Sequence, residues 1–463
     1  MSLATGTGRA SHGPFHPAHR IVTWTILALV TVTAFETMAV STAMPDVARE
    51  LDAVRSYGFA FSVLMTTQLL GIVLAGVWSD RSGPFPGTLT GQVLLASGSA
   101  ICGLSTNFGV FLLGRALTGL GGGLLIVMMY VIAGRVYSDE VRPALFTYIA
   151  GAWILPSLIG PWISARLTED LTWRLVFWCV VPPVLISIAS MVYARSHVSR
   201  LSLDVATSSR DHGAHVRAAW WGLLIAVSAG AVQLAIHRLS THHSPPVVVG
   251  LLGVLGVIIA APRLVPEGTW RMRPGLPSVL CARAVLTAAF FGGISYLPLF
   301  LHDQRGASLQ LAGLAIAVGS LGWAVGAYVQ GRPGLAIQRH RLVTLGGAFL
   351  AGGLVLLAVI AALNFKGAFS VLALILCGLG MGLGVTTTTV MALELSPVED
   401  HGENSSALQL ADVLGSVVGI ALATAIFAAH HVPRHDNGLF GVIFLVMGLI
   451  GALAIPAGQR INT

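Results

Sequence analysis

The sequence predicts an all-α integral membrane protein, on three observations. Of its 463 residues, 55% are hydrophobic and only 10% are charged, whereas soluble domains carry about 25% charged residues. Mean hydropathy is +0.81, so the chain needs lipid as its solvent. Runs of about 20 apolar residues recur along most of its length, each long enough to cross a ~30 Å hydrocarbon core as a helix. A β-barrel would show ~10-residue alternating segments instead, and the sequence has none.

Taken in order, the apolar runs predict fourteen spans, at 21–44, 57–79, 88–106, 108–134, 144–167, 174–195, 219–238, 247–262, 278–301, 309–331, 342–363, 368–393, 405–430 and 438–458. The first is too long for a signal-peptide core and no small-residue cleavage site follows it, so it is expected to remain as a span. Loop charge orients the set. With the N-terminus cytoplasmic, the inner loops hold thirteen arginines between Arg81 and Arg341, while the outer loops hold Arg49, Arg55, Arg305, Lys366 and Arg434. That bias predicts a multi-pass protein of the cell (inner) membrane with both termini inside. The net charge of +7 is spread between apolar runs, so it reads as a topology signal and no nucleic-acid partner is expected.

The sequence also repeats itself. Gly119, Leu120, Gly121 and Gly123 return as Gly378, Leu379, Gly380 and Gly382, and Ala152, Leu155, Ser157 and Gly160 return at the same offset as Ala411, Leu414, Ser416 and Gly419. A weaker echo pairs Gly71, Arg81 and Gly83 with Gly322, Arg332 and Gly334. Repeated spans keep their orientation, so the two halves are expected to be related by a pseudo-twofold axis along the membrane normal. The offset exceeds what six spans need, and two extra helices fill the difference. The expected plan is a cytoplasmic tail (1–20), an N-terminal six-helix bundle (21–195), a cytoplasmic linker (196–218), two extra helices (219–262), a second linker (263–277), a C-terminal six-helix bundle (278–458) and a short tail (459–463).

Several function classes lose their support here. Cys102, Cys179, Cys281 and Cys377 lie in separate apolar runs with no CxxC pair, which predicts neither a metal site nor a disulfide framework. His12, His16 and His19 share the N-terminal tail with Pro14 and Pro17, which prevent a helical metal face. No HExxH, GxSxG or GxxxxGK[ST] pattern is present, so neither an enzyme nor an ATP-driven pump is expected. No cofactor is predicted.

The residues that carry chemistry sit in and beside the spans. Gly76, Asp80, Arg81 and Gly83 close the second span at a tight turn, where an Asp/Arg pair can make charge contacts. Arg115 lies inside the fourth span, ahead of Thr118, Gly119 and Gly121; an intramembrane arginine should face the protein interior and a partner. Its repeat counterpart is Leu374, so the charge belongs to one half only. Trp153, Pro156, Gly160 and Pro161 punctuate the fifth span, followed by small Ser164 and Ala165, which predicts a kinked helix with a close neighbour. Glu36 stands nine residues before Pro45 in the first span. Desolvation penalises the charged form of a carboxyl in an apolar site, so Glu36 is placed to take up and release a proton. Asp412 is a further acid inside a predicted span, with Arg115 or a wet cavity as its expected surroundings. Arg283 and Glu394 lie near span ends and read as interfacial.

These motifs resemble the major facilitator superfamily and, within it, the fourteen-span drug/proton antiporter branch, over nearly the whole chain. Gly76 to Gly83 is similar to the GxxxD-R-x-G signature, though Pro84 and Phe85 replace the usual basic pair. Arg115 to Gly121 is similar to RxxQGxG with Thr118 at the glutamine position, and Trp153 to Ala165 to the antiporter motif GxxxGPxxGG, with Pro156, Ser164 and Ala165 in place of glycines. Trp173 and Arg174, and the run Tyr296, Leu297, Pro298 followed by Arg305, Gly306 and Ser308, match further patterns of the branch. The resemblance implies a proton-driven exporter of hydrophobic or cationic small molecules that works by alternating access as a monomer in membrane lipid. Its partners would be the substrate and protons. It implies Glu36, Arg115 and Asp412 for proton coupling and Asp80, Arg81 and Arg142 for the cytoplasmic gate. Met128, Met129, Tyr130, Phe290, Phe291 and Tyr296 are weaker candidates for the substrate pocket. The alternative is a narrow-specificity metabolite, lipid or antibiotic transporter on the same fold.

Overall fold

The computed structural model describes residues 13–16, 20–137, 141–203, 212–240, 247–332, 337–397, 401–432 and 436–462, and no strand occurs among them. The first half contains α1 (Arg20–Glu50), α2 (Tyr57–Ser82), α3 (Pro84–Leu104), α4 (Phe108–Val136), α5 (Arg142–Asp170), α6 (Arg174–Trp178) and α7 (Val181–Leu203). Then come α8 (His212–Ser240) and α9 (Val247–Leu264). The second half holds α10 (Leu276–Ile294), α11 (Leu297–Leu299), α12 (Leu309–Gln330), α13 (Arg339–Ala362), α14 (Ser370–Glu394), α15 (His401–His430), α16 (Asn437–Ala452) and α17 (Ala454–Gln459).

Twelve helices among the described residues are long and apolar enough to cross a membrane, against the fourteen expected. The two that fall short are the expected spans 144–167 and 219–238. Both form helices of 29 residues, and in each some side chains lie outside the described set; the described apolar stretch of α8 runs Trp220–Ile236. Prolines divide other spans into pieces. Pro182 and Pro183 lack the N–H that would continue α6 into α7, and Pro298 follows the break between α10 and α11, ahead of a π-turn at Phe300–Gln304.

The glycine repeat has a packing cause. A methyl group on Gly119 would lie 2.2 Å from the Leu64 carbonyl oxygen of α2, and one on Gly121 would lie 2.6 Å from that of Gly91 on α3. At the repeat positions, Gly378 would meet the Gly319 oxygen of α12 at 2.0 Å and Gly380 the Gly346 oxygen of α13 at 2.6 Å. In each half, one helix is wedged against two neighbours by alternating glycines, so that backbones touch where side chains cannot fit.

Of the extra pair, α8 is not peripheral. α9 packs on α8, and α8 packs against both α2 and α15, one helix from each half. Leu69 and Ile72, Ile225 and Ala229, and Val413 and Val417 form one apolar cluster across that seam. Within it, the Gln233 amide donates to the Ser62 carbonyl (3.2 Å) and the Thr66 hydroxyl (2.7 Å).

The halves are also joined at the end of the bundle where α1 finishes at Glu50. Arg49 pairs with Asp303, and the Glu169 carboxylate accepts from the backbone N–H of Leu309 at 2.6 Å, capping α12. Tyr57 and Tyr296 pack with ring centroids 5.4 Å apart and planes tilted by 50°. A methyl on Gly313 of α12 would lie 2.8 Å from the Pro161 carbonyl oxygen.

Candidate functional site

Glu36 and Arg115 meet at the centre of the first half. Arg115 sits on the eighth residue of α4, which begins at Phe108 behind an Asn107 side chain that caps the Val110 N–H. Glu36 lies midway along α1. Arg115 Nη1 donates to Glu36 Oε1, and the two residues are 2% and 3% exposed. Removing both charges from water is costly, and the close pairing offsets that cost. Arg115 Nε has no hydrogen-bond partner.

A cavity of about 80 Å³ borders this pair, between the halves. Met38, Phe61 and Arg115 line it from the first half, and Phe290, Phe291 and Trp323 from the second. Glu36 stands behind Arg115 and is not among the lining residues. Drug-sized ligands occupy about 300–1,000 Å³, so this is a constricted arrangement that must widen to admit one.

Asp412 has another partner than expected. Arg283 Nε donates to Asp412 Oδ1 and its Nη2 to Oδ2, both at 2.6 Å, a bidentate pair between α10 and α15. Arg283 Nη1 donates to the Val385 carbonyl (2.6 Å) and to the hydroxyls of Thr388 (3.3 Å) and Thr389 (3.1 Å) on α14. The interfacial reading of Arg283 is therefore corrected: it is 6% exposed, because its position on α10 faces α14 and α15 inside the bundle. The Asp412 side chain keeps 22% exposure. Glu394, at the end of α14, pairs with Arg339 and is exposed.

The other predicted residues separate by role. Gly83 (φ +74°) terminates α2 and starts α3 in a backbone region that side chains rarely adopt. Among the described residues, Gly76 makes no close helix contact: a methyl there would meet none of them within 4 Å. Arg81 is exposed, and the side chain of Asp80 lies outside the described residues. Arg142 donates to the carbonyls of Gly134 and Tyr137 (3.0 Å for Tyr137), so it caps the end of α4 within its own half. On α5, Gly160 faces Phe35, Ser164 Oγ donates to the Ala39 carbonyl at 2.5 Å, Pro156 is buried and Trp153 is exposed.

Of the weaker pocket candidates, Phe290 and Phe291 line the cavity. Met129 is buried among α1, α3 and α4, Tyr130 is 47% exposed, and Tyr296 is buried in the junction with Tyr57. Trp323 and Phe61 were missed. Each sits in an apolar run where an aromatic side chain is ordinary, and only the packing shows which face meets the cavity. Trp173 and Arg174 serve the scaffold. Both donate to the Glu50 carboxylate, at 2.6 and 2.5 Å, tying α1 to the start of α6. Arg305, Gly306 (φ +59°) and Ser308 make the turn into α12, with Arg305 donating to the Ile360 carbonyl at 3.0 Å and Ser308 capping the helix.

Comparison with known proteins places this arrangement. A family model described as Major Facilitator Superfamily matches residues 26–420. The multidrug transporter protein MdtP of Bacillus subtilis (strain 168) is 25% identical over 424 residues, 88% of this chain and 75% of that protein. An acurin A biosynthesis cluster MFS-type transporter of Aspergillus aculeatus is 26% identical over 253 residues, 52% of this chain and 44% of that protein. The chain spans about half the length of such fungal relatives. Among solved structures, a POT family transporter in complex with a thioalcohol conjugated peptide superposes with a TM-score of 0.72 at 14% identity, covering 97% of this chain and 98% of that one.

Proposed function

The chain belongs to the Major Facilitator Superfamily, and from that premise we propose that it is a proton-coupled transporter that exports hydrophobic small molecules by alternating access. The observation that carries this reading is the buried Glu36–Arg115 pair beside a cavity between the halves. A proton that neutralises Glu36 releases Arg115, and a guanidinium without its counter-ion is unstable in a dry interior. Protonation is thereby tied to a change in packing around α1 and α4. The Arg283–Asp412 pair, partly exposed on its acid side, is a second place where a proton can break a contact between helices.

The geometry supports several finer assignments. α5 and α8 count as spans, giving fourteen: α5 packs along α1 and α12, and α8 along α2 and α15, each a position inside the bundle at membrane depth. The arginine bias then puts both termini in the cytoplasm, and the Glu50 end faces outward. With the halves joined at that end, the protein rests closed to the outside. It works as a monomer in the cell membrane, driven by the proton motive force without a cofactor. The multidrug relatives favour broad efflux, and relationship to the drug/proton antiporter branch agrees with the motifs of α4 and α5. The acurin-cluster relative favours a second reading, export of one metabolite class on the same fold.

The test uses purified protein in liposomes that hold a pH gradient and an internal pH-sensitive dye. A panel of lipophilic compounds is added one at a time. Compound-triggered proton movement is expected in the wild type and is lost in Glu36→Gln. Full coupled transport by that variant sinks the proton assignment.

A further inference from the structure

The lining of the cavity bears on which molecules it accepts. Trp323 stands edge-on to Phe290 (centroids 5.6 Å apart, 86°), and Phe290 edge-on to Phe291 (5.3 Å, 86°), forming an aromatic wall on the second half. Across from it lie Phe61 and the methionines of α1 and α2. Flat rings suit such walls, because ring faces and edges attract one another beyond the area they bury.

The polar groups of the lining are unequal. Thr37, Ser41, Ser295 and Ser320 each donate their hydroxyl proton to a carbonyl of their own helix, at 2.9, 2.7, 2.6 and 3.3 Å. They have lone pairs to offer and no proton. Arg115 is the one charged residue of the described lining, and its Nε–H is enclosed and, among the described residues, without a partner. An acceptor that reaches this N–H as the cavity widens therefore satisfies a spare donor on a guanidinium whose charge Glu36 already balances. A cation finds no free carboxylate here, and it approaches the guanidinium side of the pair. An anion loses its hydration for a pair that is neutral overall. An uncharged acceptor, such as a ketone or ether oxygen, matches the spare N–H without either cost.

We infer that the cavity selects uncharged, flat aromatic molecules bearing a hydrogen-bond acceptor, held between the Trp323 wall and Arg115, over lipophilic cations. The inference rests on the transporter reading, whose site it specifies.

Three matched probes test it on the full chain in lipid nanodiscs, against empty nanodiscs: N-methylacridone (uncharged ketone), anthracene (no acceptor) and N-methylacridinium (cation). N-methylacridone is expected to bind about tenfold tighter than either of the others, the scale of one hydrogen bond to a charged donor. Arg115→Lys keeps a charge beside Glu36 but removes the Nε–H, and should erase the preference for the ketone over anthracene. Trp323→Ala, away from the ion pair, should weaken both uncharged rings by about tenfold. Equal or tighter binding of N-methylacridinium, or unchanged affinity in Trp323→Ala, overturns the inference. Proton flux in liposomes separates it from coupled export. If N-methylacridone binds as stated but moves no protons, coupling fails and the substrate class stands. If protons follow N-methylacridinium and not N-methylacridone, the class fails and coupling stands.

Discussion

A guanidinium that is 2% exposed within an apolar bundle needs a carboxylate beside it, and Glu36 occupies that place beside Arg115. Breaking such a pair by removing one member leaves the other charge uncompensated, at a cost of about 3–5 kcal/mol, whereas replacing both is often close to neutral. Glu36→Gln should thus lower the thermal midpoint of the protein, and Glu36→Gln combined with Arg115→Gln should recover much of the loss. A double variant as unstable as the sum of the single ones would show that the two side chains do not stabilise each other. Both residues were legible in the sequence as ionisable groups inside apolar runs. The pairing of Asp412 was not. Arg283 lies only five residues into the expected span 278–301, which reads as interfacial, while its true partners on α14 and α15 are more than 100 residues away. Which helix faces bring them together is a matter of rotation about each axis, and a uniformly apolar helix carries little sequence signal for that.

At the scale of the element, glycines decide how near the helices can come. Gly121→Val in α4 and Gly380→Val in α14 should be comparably destabilising, because each forces a side chain onto a backbone oxygen 2.6 Å from its Cβ position. Thermal unfolding of the two variants in detergent checks it, and a mild effect of one alone would break the equivalence of the repeats. The turn between α2 and α3 gives a contrast within one motif. Gly83 has φ +74°, so Gly83→Ala should cost about 1–2 kcal/mol. Gly76 faces open space among the described residues, so Gly76→Ala should leave the thermal midpoint unchanged. The repeated glycines were visible as a pattern before their reason was, since regular spacing survives in sequence while the neighbouring helix does not. The apolar runs at 144–167 and 219–238 were legible as helices, α5 and α8, each of 29 residues.

For the whole molecule, the contacts between the halves decide which face opens. At the Glu50 end the halves are held by Arg49 with Asp303, by Glu169 on the start of α12, and by the close approach of Pro161 to Gly313. α2 and α15 pack directly on each other, and α8 packs on both of them through an apolar cluster. If transport proceeds by rocking of the halves, the Glu50-end contacts must separate in every cycle while α8 keeps its packing on both. A cysteine pair at positions 49 and 303 tests that requirement directly. Cys102, Cys281 and Cys377 are buried, and exposed Cys179 would first be changed to serine. Joining the pair with a short bifunctional thiol reagent that contains a disulfide should stop transport in liposomes, and reduction should restore it. The single-cysteine variants control for loss of the ion pair itself, which at partly exposed positions should contribute less than about 1 kcal/mol. Transport that continues at full rate in the cross-linked protein would mean that the Glu50 end never opens. The path of the substrate would then have to be sought through the membrane-facing side of the bundle instead.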